Sequence, residues 1–116
     1  MRYMLLIYTR EDAMAKMTAA EDASIRAGHW AVMNETAQRG ILGGAEPLMP
    51  TSTATTVRQR DGKLVVTDGP FAETKEQLAG YYILNCENLD EALAIAANIP
   101  GATHGSIEVR PVMVFD

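Results

Sequence analysis

Tyr3-Met4-Leu5-Leu6-Ile7-Tyr8, close to the amino terminus, shows no alternation of polar and apolar side chains. A strand with one face in water alternates, whereas a strand covered on both faces reads as a continuous apolar run. We therefore expect this segment to be a central strand of a β-sheet. Both faces of that sheet then need apolar cover, which constrains the rest of the chain.

A helix is predicted after this first strand. Thr18 and Glu21 have the spacing of a capping box, which opens a helix, and Gly40 suits the left-handed residue after a helix end. Five residues recur at helical spacing, and we expect them to form the face that packs on the core: Ala23, Ala27, Trp30, Met33 and Ala37.

The middle of the chain has the composition of strands and turns. Asp61-Gly62 favours the type I′ turn of a two-residue hairpin loop, and the flanks at residues 53–60 and 63–67 are rich in β-branched side chains. A short strand is predicted before this hairpin at residues 41–45, ending ahead of Pro47, and a longer, central strand after it at residues 78–86.

A second helix and a last strand complete the pattern. Asn88 is placed to cap the helix, which Pro100-Gly101 should end. Its predicted apolar stripe comprises Leu89, Ala92, Leu93, Ala96 and Ile99. Pro111 lacks a backbone donor, so the strand predicted at residues 107–115 should lie at an edge or contain a bulge.

The order of these elements is β, α, β, β, α, β with an inserted hairpin. This is the split βαβ plan of ferredoxin-like α+β folds, in which both helices pack on one face of the sheet. The other face is then bare although residues 3–8 are apolar on both sides. A second subunit is the simplest cover, so we expect a homodimer that closes a dimeric α+β barrel from single domains spanning residues 1–116.

The amino-acid composition argues against nucleic-acid and membrane partners. The 116 residues are 47% hydrophobic and 22% charged, as in ordinary globular domains, and ten basic against fifteen acidic side chains give a net charge of -5. Such a charge repels phosphate backbones, so no nucleic-acid partner is expected. We find no signal peptide and no segment long enough to cross a membrane, which favours a cytoplasmic protein.

Signatures of cofactor and metal chemistry are missing from the sequence. Cys86 is the only cysteine, and inside a predicted strand it is interpreted as a small buried hydrophobe. The two histidines, His29 and His104, lie far apart without zinc or iron spacing, and His104 follows a loop where a solvated side chain is expected. With no phosphate-binding glycine loop either, no cofactor is expected.

The segment Val66-Thr67-Asp68-Gly69-Pro70-Phe71-Ala72-Glu73-Thr74-Lys75-Glu76 resembles the signature of DGPF-domain proteins, a branch of the YCII-related family. Residues 1–8, 54–58 and 105–111 agree with it, so the resemblance spans nearly the whole chain. It implies a ferredoxin-like domain that dimerises into an α+β barrel. Most members lack a known activity, some are lyases acting on chlorinated hydroxyquinols, and many are encoded beside extracytoplasmic-function sigma factors.

The resemblance also implies a catalytic pair. Members often carry a histidine on the first helix and an aspartate on a loop near the barrel mouth, and His29 and Asp68 occupy these places here. By helical spacing His29 shares a side with Ile25, Val32 and Thr36, about 100° from the predicted core stripe. An imidazole oriented there by a carboxylate could act as a general base, and a hydrogen-bonded rim histidine without a reaction is the alternative.

The remaining candidates have structural explanations beside the functional ones. Asp68 also starts a strong turn, in which Gly69 and Pro70 set the backbone and Phe71 is expected to anchor the loop in the core. Three further residues are candidates for lining a cavity inside the barrel: Tyr82, Glu108 and Arg110. The last two share one face of their strand and could instead form a cross-strand ion pair.

Two classes of function follow from these residues. One is a small-molecule enzyme, a cofactor-independent lyase or isomerase that moves a proton with His29 and Asp68. The other is a non-catalytic dimer that binds a ligand or regulates a partner, with a link to extracytoplasmic-function sigma factors implied by the resemblance alone. A third hypothesis, an oxygenase of the dimeric α+β barrel class, rests on the predicted fold only.

Overall fold

The computed structural model describes residues 1–115. Six strands are formed: Arg2–Thr9 (β1), Leu42–Pro47 (β2), Thr55–Arg60 (β3), Lys63–Asp68 (β4), Gln77–Asn85 (β5) and Gly105–Pro111 (β6). Four helices accompany them, together with a 3-10 turn at Thr51–Thr53: Glu11–Met14 (α1), Ala19–Gln38 (α2), Leu89–Ala96 (α3) and Gly101–His104 (α4). No helix among these residues has the length and apolar character needed to cross a bilayer.

Four strands form the main sheet in the order β2-β5-β1-β6, with every neighbouring pair antiparallel. Together with α2 and α3 this is the ferredoxin-like βαββαβ arrangement, and β3 with β4 forms the inserted hairpin as a separate two-stranded sheet. The central position predicted for β1 and β5 is confirmed. Pro47 and Pro111 lie in the edge strands β2 and β6, where a missing backbone donor is tolerated.

The two faces of the main sheet differ in cover. Tyr3, Leu5 and Ile7 of β1 are buried on the face that carries the helices. The alternate residues of the two central strands are only half-buried, because nothing in residues 1–115 packs on the other face. We call this surface the bare face, and its apolar centre comprises Met4, Leu6, Tyr81 and Ile83.

Helix α2 presents a different side to the sheet than the sequence pattern predicts. The capping box of Thr18 and Glu21 is formed, but Trp30 of the predicted core stripe is 61% exposed, and of that stripe only Met33 packs on the core. The buried side carries Ile25, His29, Val32 and Thr36. Alanines on several sides of α2 weaken its amphipathic pattern, and the bulkier β-branched residues, not the alanine-rich stripe, fill the space above the sheet.

Helix α3 begins as predicted and ends early. The Asn88 side chain accepts a hydrogen bond from the Glu91 backbone N–H at 2.9 Å, which caps the helix. Ala92, Ala96 and Ile99 are buried, but Leu89 and Leu93 are 47% and 46% exposed, so this part of the predicted stripe is wrong. Ile95 is buried in their place. The helix stops at Ala96, and the Pro100-Gly101 segment opens the separate turn of α4.

The hairpin of β3 and β4 is formed where the sequence predicts it. Asp61 and Gly62 have φ values of 54° and 75°, and this pair of positive angles is that of a type I′ turn. The hairpin makes few contacts with the other strands and helices, and the molecule measures 47 × 47 × 19 Å along its principal axes. We call residues 55–68 the arm, and the main sheet with its helices the body.

Candidate functional site

A cavity of about 460 Å³ lies between α2 and the helix-covered face of the main sheet. This volume falls within the range of small-molecule sites, and most of the lining is apolar. Ile7 of β1, Ile25 and Met33 of α2, and Met14 at the end of α1 contribute to the walls. The cavity can therefore hold a small ligand with an apolar body.

His29 and Tyr82 form the polar centre of this cavity. Nδ1 of His29 lies 2.7 Å from the Tyr82 hydroxyl oxygen, a hydrogen-bond distance. The two rings meet edge to face, with centroids 6.0 Å apart and planes inclined by 68°. Tyr82 is 4% exposed and His29 is half-buried, so the pair is held in one geometry beside the open volume.

Local packing explains why the two side chains meet. Tyr82 pairs with Leu5 and Ala45 across the sheet and points to the helix-covered face. Gly28 allows α2 to approach the chain after α3, since a Cβ at this position would lie 2.6 Å from Cγ of Pro100. That close approach fixes the next residue, His29, above Tyr82.

Burial determines the protonation states of the pair. Loss of solvent lowers the pKa of His29 below its ordinary value of 6.5, so the imidazole is neutral at pH 7. The same cause raises the pKa of Tyr82 to about 12, so its hydroxyl keeps its proton. Within one site the neutral imidazole can accept a proton, and the protonated hydroxyl can donate a hydrogen bond.

Asp68, the second residue of the predicted catalytic pair, lies elsewhere in the single chain. It is the last residue of β4, opposite Thr55, and is exposed. It does not line the cavity, and within residues 1–115 its carboxylate forms no hydrogen bond or ion pair. The pairing of His29 with Asp68 stays a prediction, while the contact that the structure supplies to His29 is Tyr82.

The loop after Asp68 is anchored differently from the prediction. Phe71 is 74% exposed, so its expected role as a core anchor is wrong. The loop is held to β3 instead, where Oγ1 of Thr56 donates to the Gly69 carbonyl at 2.8 Å and the Arg58 guanidinium donates to the Phe71 carbonyl at 3.0 Å. Gly69 has a φ of 101°, a left-handed conformation that glycine adopts without strain.

Glu108 and Arg110 lie on the bare face and not in the cavity. They pair with Leu6 and Met4 of β1, are exposed, and form no ion pair among the described residues. Their predicted place inside a barrel depends on a second subunit and stays a prediction. Of the three residues proposed to line a cavity, only Tyr82 does so in the single chain.

Sequence reasoning missed several residues at the cavity mouth. Trp30 lines it as an exposed indole, and His104, expected in a solvated loop, lies on α4 at the same mouth. Arg26 lines it too and forms an ion pair with Asp22. Local spacing gives no signal for this set, because α2 and α4 are brought together only by the tertiary fold.

Within residues 1–115, neither the Cys86 thiol nor a group of metal-ligating side chains forms a second candidate site. Cys86 is 2% exposed, and burial, reinforced by the negative charge of Glu91, raises the pKa of its thiol. A buried thiol that keeps its proton is a weak nucleophile, in agreement with its interpretation as a packed hydrophobe. Within residues 1–115, no three His, Cys, Asp or Glu side chains are grouped so that they could hold a metal ion.

Comparison with known proteins places the chain among its relatives. The sequence pattern of the YCII-related domain matches residues 1–116. The chain belongs to the YCII-related family. An uncharacterised protein of Rhizobium meliloti strain 1021 is 40% identical over 117 residues, which covers 99% of this chain and 94% of the relative.

A solved structure shares the fold of this YCII-related chain. It is the 5-chloro-2-hydroxyhydroquinone dehydrochlorinase of Burkholderia phenoliruptrix AC1100 in complex with 2,5-dihydroxybenzoquinone. The two superpose with a TM-score of 0.58 at 13% identity, over 97% of this chain and 94% of the other. At this identity the similarity establishes the fold, and that enzyme's substrate remains a property of that enzyme.

Proposed function

We propose that this chain binds a small, planar, hydroxylated molecule in the cavity and transfers a proton with His29, as a cofactor-independent lyase or isomerase. The observation that carries the proposal is the 2.7 Å contact between Nδ1 of His29 and the hydroxyl of Tyr82 inside a cavity of about 460 Å³. The shared fold with a dehydrochlorinase supports the same class of small-molecule chemistry.

The pair has a defined division of roles in this proposal. In one tautomer of His29 the ring proton is on Nδ1, and this N–H donates a hydrogen bond to the Tyr82 oxygen. Nε2 then retains a lone pair and can take a proton from the ligand. The electron pair left behind stays on the ligand as a developing oxyanion. The Tyr82 hydroxyl hydrogen is then free to donate to that oxyanion, and its pKa of about 12 ensures that it is present.

Asp68 would join this chemistry only in the assembled protein. The functional unit that we propose is a homodimer in which the bare face is covered by the bare face of a second copy. The half-buried Met4, Leu6, Tyr81 and Ile83 give this face its apolar centre, which supports burial against another subunit. The environment of Asp68 in such a dimer differs from that in the single chain, so the predicted pair of His29 and Asp68 is tested on the dimer.

Binding and turnover of hydroxylated aromatics test the proposal. The probes are 2,5-dihydroxybenzoquinone for binding, by isothermal calorimetry, and 5-chloro-2-hydroxyhydroquinone for turnover, by release of chloride. We expect micromolar to millimolar binding that Tyr82→Phe weakens, and turnover by a wider panel of hydroxylated aromatics that His29→Gln abolishes. If no member of the panel binds at millimolar concentration, the proposed ligand class is wrong. Binding with no turnover by the wild type would instead favour the non-catalytic ligand-binding dimer.

A further inference from the structure

The arm has two chemically different faces. Directly opposed residues of an antiparallel pair point to the same side, and Val57 opposes Val66 while Gln59 opposes Leu64. One side of the arm, which we call its apolar face, therefore carries Val57, Leu64 and Val66. The other side, its basic face, carries Arg58, Arg60 and Lys63 together with Val65. The arm is thus amphipathic, like a strand pair that packs on another surface.

The apolar face has no cover within residues 1–115. Val57, Leu64 and Val66 are 61%, 63% and 57% exposed. The loop after the arm does not shield them, because its anchors, Thr56 and Arg58, lie on the basic face. Three apolar side chains in a row on a projecting hairpin form a surface that soluble chains normally bury.

The arm makes few contacts with its own body, which leaves this surface uncovered. Six residues per strand give the arm a reach of about 20 Å. The radius of gyration of the chain is 16.2 Å, whereas a compact domain of this length would have about 13 Å. A lone two-stranded hairpin is only marginally stable in water, so packing against another surface would stabilise the arm.

Two features of the chain identify a second copy as that partner. The bare face and the apolar face of the arm are both uncovered, and a twofold dimer can bury both at once because each copy supplies both surfaces. Charge is complementary as well. The arm, with three basic and two acidic residues, carries +1, so the rest of a chain of net charge -5 carries -6. The three basic residues lie on the face opposite to the apolar one, so they steer the arm towards the acidic body of another copy without forming the packed contact.

We propose that the apolar face of the arm packs against a second copy of this chain, so that two arms clasp the dimer. The inference rests on the homodimer proposed above and adds a residue-level interface to it. Val66 and Val65 provide a matched test, because they are adjacent on β4 and point to opposite faces of the arm. The same substitution to serine can be made at each.

The test is the dimer dissociation constant of the full-length chain, measured by sedimentation equilibrium. We expect Val66→Ser to raise it at least tenfold, because each dimer loses two buried apolar contacts, and Val65→Ser to change it less than twofold. A wild type that is monomeric at 100 μM would overturn both the homodimer and the clasp. A dimer that Val66→Ser leaves unchanged, or that both variants weaken equally, would overturn the clasp and leave the bare-face dimer standing.

Hydrogen exchange of the wild type keeps the proposal testable even if a variant misfolds. Amides of residues 55–68 should exchange slowly above the dissociation constant and at least tenfold faster below it, since a lone hairpin opens readily. Amides of β1 and β5 serve as the internal reference. Exchange in the arm that is equally fast at all concentrations contradicts the clasp, as does exchange that is equally slow.

Discussion

The body and the arm use their apolar residues in opposite ways. In the body, Leu5 and Leu84 are fully buried and Tyr82 is 4% exposed, whereas in the arm Leu64 is 63% exposed although it lies in an equally regular strand. The body forms its core from one chain and encloses a cavity with a histidine and a tyrosine in it. The contacts of the arm are local, and in our proposal its apolar side chains are buried by another molecule.

The body and the arm differ in the contacts that stabilise them. Body residues gain contacts from neighbours distant in sequence, as in the pairing of β1 with both β5 and β6. The arm's contacts are local, between β3 and β4 across one turn, and such contacts supply little net stability in water. Substitutions in the two regions should therefore report on different quantities, catalysis and folding in the body and association in the arm.

The largest effect is expected on turnover. His29→Gln should lower kcat by about 100-fold or more, because it removes the general base at the cavity. Asp68→Asn should lower it less than tenfold, since the carboxylate is exposed and does not line the cavity. Steady-state kinetics on a substrate found by the aromatic panel measures both. A loss with Asp68→Asn as large as that with His29→Gln would mean that the arm's carboxylate reaches the cavity, as the predicted pair requires.

The next largest effect is expected on the free energy of unfolding, which should fall more for a substitution in the body than for one in the arm. Leu84→Ala, at a site with no exposure, should cost about 2–5 kcal/mol in the free energy of unfolding by loss of apolar contacts and formation of a cavity. Leu64→Ala should change it by about 0.5 kcal/mol or less at concentrations where the chain is monomeric. Urea unfolding followed by circular dichroism gives both values. Equal losses would show that the arm packs on its own body.

The helix caps and the hairpin turn were the features of this protein most readily predicted from the sequence. The capping box at Thr18, the cap at Asn88 and the Asp61-Gly62 turn depend on neighbouring residues alone, and all three are formed. The strand order also followed, because a continuous apolar run such as residues 3–8 has few places in a sheet other than its centre. The caps and the turn were predictable because they depend on neighbouring residues, and the central strand because its apolar run needs cover on both faces.

The orientation of elements was less predictable. Trp30 reads as core by spacing but lines the mouth of a cavity, and Phe71 reads as an anchor but is exposed. In both cases the local pattern shows that an apolar side chain needs cover and does not show what supplies it. The contact between His29 and Tyr82 joins residues 53 positions apart, and it required the register of β5 under α2 to be known.

Loss of the Thr18 helix cap in the body and strain in the Gly62 turn of the arm should affect different measurements. Thr18→Ala removes the hydrogen bond that Oγ1 of Thr18 accepts from the Glu21 N–H, and should cost about 1 kcal/mol in the free energy of unfolding. Gly62→Ala places a side chain at a φ of 75° and strains the turn by about 1–2 kcal/mol. We expect that strain to speed amide exchange in residues 55–68 of the monomer while the urea midpoint stays constant. A shifted midpoint would mean that arm and body unfold together.

The smallest effect is expected in the pH dependence of stability, and it should belong to the body alone. The pKa of His29 in the folded chain lies below its ordinary value of 6.5, so the unfolded chain binds a proton first as pH falls. Stability from the neutral imidazole is thus fully present above pH 6.5 and declines below it until the folded pKa is reached. Glu21, whose pKa is lowered by its capping hydrogen bonds, acts only below its ordinary value of 4.5, outside this window.

The measurement is a series of urea unfolding curves between pH 7.5 and 5 for the wild type and His29→Gln. Glutamine does not titrate, so the difference between the two series isolates the imidazole, and we expect the wild type to lose more stability than the variant below pH 6.5. Parallel curves would show that His29 is solvated in both states, and its role as a desolvated base beside Tyr82 would then have to be abandoned.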